Sequence, residues 1–132
     1  MKLTPPNLAL TIAFAITFFA TGASLWPLEY SEVSLPNSLY GIGLIVLVAS
    51  AAAVRALTVV GLWKTMAVLG LAPAAAVFAR VIVETTLDPT SHNLWPLELV
   101  IAVGVGFPLA LLSALLGGLV GPWLRDQIAK RG

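Results

Sequence analysis

Five side chains able to do chemistry stand close together in the chain: Arg80, Glu84, Asp88, His92 and Glu98. Arg80, Glu84 and Asp88 recur every fourth residue, so on a helix they form one stripe with neighbours a turn apart. An arginine inside a membrane needs a counter-charge, because an isolated charge in hydrocarbon is costly. Glu84 at one turn's distance is the simplest source of it, which predicts an intramembrane ion pair between Arg80 and Glu84. His92 adds an imidazole, the side chain whose ordinary pKa lies nearest neutrality, and imidazole with carboxylates also suits a divalent metal. Glu84, Asp88, His92 and Glu98 therefore form a candidate ion, proton or metal site. The plainer reading of the same residues is an ion pair that fixes helix depth.

The pattern names neither a metal nor a reaction. His92 is the only histidine and cysteine is absent, so no HxxxH pair, thiolate site or disulfide can form, and the metal remains unknown. Ser91 adjoins His92, but sequence neighbours do not build a triad, and the chain has no GxSxG elbow and no glycine-rich phosphate loop. The expectation is a non-enzymatic protein without catalytic residues or a cofactor.

The elements that must position these residues are apolar. Of the 132 residues, 59% are hydrophobic and 10% charged, and mean hydropathy is +0.99, beyond what a soluble domain of this size can hide in its core. Four stretches, at about 7–25, 38–58, 65–84 and 98–120, approach the roughly 20 residues that a membrane-crossing helix needs. The first is read as a retained helix, since the apolar core of a secretory signal is only about 7 to 15 residues long. An all-α integral membrane protein follows, a four-transmembrane-helix bundle filling residues 1–132 as a single membrane domain.

Charge sets the direction of insertion. With the N-terminus cytoplasmic, Lys2, Arg55, Lys64, Arg125, Lys130 and Arg131 fall on the inner side and Arg80 alone falls on the outer side. Short inner loops carry the excess of lysine and arginine, so both termini are expected in the cytoplasm. Trp26 and Trp95 then anchor the outer interface and Trp63 and Trp123 the inner one. Arg55 is near enough to the inner end of its span to extend its head group to the surface. The basic residues line no aromatic groove, which excludes nucleic acid as a partner.

Small residues at helical spacing predict where the helices meet: Ala49 with Ala53, Ala52 with Ala56, Ala72 with Ala76, Ala75 with Ala79, and Gly117 with Gly121. Pro73 and Pro108 should kink the third and fourth spans. The pentapeptide LWPLE occurs at 25–29 and again at 94–98. Ser24 and Asn93 precede the copies as capping residues, and Glu29 and Glu98 stand near the positive ends of the helices that would follow. Each copy thus reads as a helix entrance, the first opening a short outer interfacial helix over about 25–34. An offset of 63 superposes Gly41, Gly43, Ser50 and Ala51 on Gly104, Gly106, Ser113 and Ala114. That is either a two-fold internal repeat of helix hairpins or coincidence in a background rich in alanine and glycine.

Two functional readings follow. The favoured one is an accessory, structural or assembly subunit of a larger membrane complex, such as a respiratory or photosynthetic one, in a cell membrane of the bacterial inner-membrane type. Its partners would be the lipid bilayer and other membrane subunits or copies of itself. The alternative is an autonomous ion- or metal-handling protein, a channel, transporter or metal binder, using the carboxylates and His92.

Overall fold

The computed structural model describes residues 5–28, 37–89 and 95–131, and every extended regular element among them is helical. In chain order these are α1 (Pro5–Leu25), a 3-10 turn at Asn37–Leu39, α2 (Ile42–Leu57), α3 (Leu62–Gly70), α4 (Ala72–Leu87) and α5 (Trp95–Arg131). Three stretches are long and apolar enough to cross a membrane: Asn7–Leu25, Leu62–Leu87 and Trp95–Arg131. The fourth apolar helix, Ile42–Leu57, is shorter. Its 16 residues rise about 24 Å against a hydrocarbon layer of about 30 Å.

The stretch Leu62–Leu87 is one apolar rod in two pieces, α3 and α4, divided at Leu71. Pro73 explains the division. It has no N–H to offer, and its ring presses on the carbonyl four residues earlier, so the ladder is weakened there and here it divides. The helix restarts with Pro73 in its first turn, where no donor is needed, and Ala75 donates its N–H to Leu71 O at 2.8 Å. Pro108 and Pro122, in contrast, lie within a continuous α5.

The four rods close into a ring. α1 packs on α2 and on α3–α4, and α5 packs on α2 and on α3–α4. Two apolar clusters fill the interior: Leu10, Leu44, Leu47, Val54 and Leu69 toward one end, and Leu25, Leu39, Val77, Val81 and Ala102 toward the other. Close backbone approach is what joins apolar helices where water cannot drive them together. Gly117 lies against Ala52 and Gly121 against Ala56; a β-carbon added to Gly117 would come within 2.8 Å of Ala52 Cα. Gly106 meets the Gly70 carbonyl, joining α5 to α3 beside the break, and Gly43 lies on the backbone of Thr21, joining α2 to α1. Ala72 and Ala76 are fully buried on α4, whereas Ala49 and Ala53 are exposed.

Buried hydroxyls are spent within their own helices. Thr17, Thr21 and Ser113 donate to the carbonyls of Ala13, Thr17 and Leu109 at 2.8, 2.8 and 2.6 Å. Such back-bonding satisfies a polar group in an apolar interior without any neighbour's help.

The first LWPLE copy departs from its sequence reading. α1 continues to Leu25, and Trp26 and Pro27 form a turn, so this copy is the exit of a helix rather than an entrance. Ser24 does not cap a following helix; its hydroxyl donates back to Thr21 O at 3.1 Å. The expected interfacial helix over about 25–34 therefore does not begin at Leu25, and residues 29–34 lie outside the described residues. In the second copy, Trp95 to Glu98 lie in the first described turn of α5, and Asn93 and Leu94 lie outside the described residues.

Candidate functional site around Arg80

Arg80 sits two turns into α4 with only 6% of its surface exposed, and its guanidinium has two hydrogen-bond acceptors and one ion-pair partner. Nη1 donates to Leu25 O at 2.5 Å and Nη2 to Leu28 O at 2.6 Å. Nε faces Glu84 Oε1 as an ion pair out of line with a hydrogen bond. The two carbonyls are chemically apt. The last carbonyls of a helix have no intrahelical partner, and the partial charge at that end is negative. Leu25 ends α1, and Leu28 lies three residues beyond in the turn that follows, so Arg80 caps the foot of α1 from a different helix.

Trp26 makes the second link between the same helices. Its indole Nε1 donates to Ala76 O at 3.0 Å, one turn below Arg80. The ring folds back along α1 because residue 22 is glycine; a β-carbon there would come within 2.5 Å of the indole. Phe18 and Phe19 meet the ring edge-on at centroid distances of 5.3 and 6.2 Å. Trp26, Ala79, Arg80, Val83 and Glu84 enclose an open cleft of about 380 Å³. Among the described residues the walls are apolar apart from the ion pair, so the cleft can receive an apolar group beside a neutralised charge.

The other predicted residues spread along the chain. Asp88 follows the end of α4 with its side chain exposed, and its backbone N–H donates to Glu84 O at 2.7 Å. Glu98 is half-buried in the first turn of α5. His92 lies outside the described residues. Among the described residues, no three histidines or acids gather in the manner of a metal centre. Trp95 is part-exposed and tilts over Phe78 at 6.2 Å, while Trp63 and Trp123 are 67% and 62% exposed at the opposite end of the bundle.

Sequence spacing pointed to the Arg80–Glu84 stripe but not to the acceptors on α1. A backbone carbonyl is common to every residue, so only the location of a helix end shows which carbonyls are free. The Gly22–Trp26 pair, four residues apart, was a usable signal for an aromatic ring folded onto its own helix.

Comparison with protein-family models, with curated proteins and with solved structures finds no match to this chain. Its functional reading therefore rests on its own residues.

Proposed function

We propose that the chain is a four-span protein of a cell membrane, of the bacterial inner-membrane type, with both termini cytoplasmic. It serves there as a non-enzymatic accessory or assembly subunit of a larger membrane complex. The orientation rests on Arg55, Lys64, Arg125, Lys130 and Arg131 standing at one end of the helices and Arg80 near the other. The observation that carries the role is how the buried polar groups are used. Arg80 serves Leu25, Leu28 and Glu84, and the buried hydroxyls serve their own helices, which favours a scaffold over a conduit. Outward, α5 presents Val100, Leu112, Leu116, Leu119 and Val120, a long apolar flank suited to lipid or to another subunit's helices.

The test is extraction in a gentle detergent, native electrophoresis and identification of what co-migrates. Co-migration with a defined larger complex supports the subunit role, and an isolated homo-oligomer overturns it. The competing reading, an ion- or metal-handling protein, draws support from the 380 Å³ cleft beside Arg80 and Glu84. Saturable zinc or copper binding that His92→Ala abolishes would favour that reading instead.

A further inference from the structure

We propose that Arg55 and Arg125 form a binding site for the phosphate of an anionic phospholipid, at the end of the bundle that carries Trp63 and Trp123. Arg55 stands in the last turn of α2. Its guanidinium rests on Gly118 of α5, where a β-carbon would collide with it, and Nη1 donates to Val60 O at 3.1 Å. Its Nε is withdrawn from solvent and has no hydrogen-bond acceptor.

Arg125 comes seven residues after Gly118, close to two full turns, so both residues occupy the same flank of α5. The Arg125 side chain folds back toward the start of its helix, as helical side chains do, with Nε 3.4 Å from Gly121 O. Gly118 and Gly121 are three residues apart, about 5 Å of helix rise, so the two arginines reach α5 at neighbouring turns. Neither has an acidic partner: the ion pairs formed among the described residues are Arg80 with Glu84 and Lys130 with Asp126. Two cations a turn apart repel unless an anion lies between them, and planar guanidinium groups match the oxygens of a phosphate.

The depth fits a headgroup. Trp123, two residues before Arg125, and Trp63 are exposed as tryptophans at a membrane surface are, and the headgroup phosphates lie at that level. Toward the bilayer interior α5 presents Leu115, 41% exposed, beside the same flank, an apolar track for an acyl chain. This combination selects a phosphate carried on a lipid over one free in solution.

Purified protein in detergent, offered phosphatidylglycerol or phosphatidylethanolamine with identical acyl chains, tests the site by native mass spectrometry of retained lipid. Wild type should retain the anionic lipid about tenfold better than the zwitterionic one, since each basic residue near a charged surface contributes appreciably. Arg125→Gln, a change at an exposed side chain that leaves the helix contacts intact, should lower the preference several-fold, and the double variant with Arg55→Gln should remove it. Lys130→Gln, which alters a residue paired to Asp126, should leave it in place. Equal retention of the two lipids by wild type, or an unaltered preference in Arg125→Gln, overturns the proposal. Displacement of the lipid by millimolar inorganic phosphate would assign the site to the free anion and overturn it too.

Discussion

Arg80 holds together groups that no shorter or rounder cation could reach at once. Lysine carries its charge at a point, whereas the guanidinium fork addresses Leu25 O, Leu28 O and Glu84 in three directions. Arg80→Ala removes the ion pair to the half-buried Glu84 and the guanidinium donors to the Leu25 and Leu28 carbonyls, and should cost about 3 kcal/mol, read as a lowered Tm in detergent. The loss belongs to the pair more than to either residue. Arg80→Met combined with Glu84→Met should therefore be less damaging than the two single changes summed, by about 1 kcal/mol in a double-mutant cycle. Trp26→Phe keeps the ring against Phe18 and Phe19 but gives up the bond to Ala76 O, a loss of about 1 kcal/mol measured in the same way. At this scale the sequence showed the stripe, because helical spacing alone brings Arg80 and Glu84 together. It concealed the clamp, because LWPLE at 25–29 carries the composition of a helix start while serving as a helix end.

Between elements, backbone proximity decides stability. Gly117→Ala would drive a methyl group into the Ala52 backbone, and separating α2 from α5 should destabilise the fold by about 1–3 kcal/mol. Gly104→Ala, in the same helix but with open space before it, should be neutral or stabilising by up to about 1 kcal/mol. Comparing the Tm of the two variants separates packing from helix propensity. Small residues four apart were visible in the sequence, yet the same pattern marked Ala49 and Ala53, which face outward, as readily as Gly117 and Gly121, which do not. Spacing identifies a smooth face without naming what lies against it. Pro73 likewise announced a disturbance in the third apolar stretch, and the outcome is a full division at Leu71, while Pro108 leaves α5 continuous.

For the whole molecule, the absence of cysteine makes topology directly measurable. Leu87→Cys and Ile128→Cys place a thiol at well-exposed positions near the end of α4 and near the end of α5. In cells, an impermeant maleimide should label the first from outside and the second only after permeabilisation. Labelling of both from one side would rule out the four-span path. Hydropathy made apolar helices of membrane-crossing length legible at once, and three stretches of that kind are present. The second crossing was less legible, because the apolar run at about 38–58 reads as a full span while its helix, Ile42–Leu57, has only 16 residues.

The division at Leu71 acquires a mechanical meaning from what lies on either side of it. Lys64, on α3, donates to Asn7 Oδ1 at 2.6 Å near the start of α1, and Arg80, on α4, grips the far end of α1. The two straps are separated by 18 residues of α1, about 27 Å of unbroken helix. α1 therefore splints a jointed rod, with the Trp26 bond to Ala76 O and the seat of Gly106 on Gly70 holding the same joint from two further sides. The joint becomes a hinge only when several of these contacts are released together.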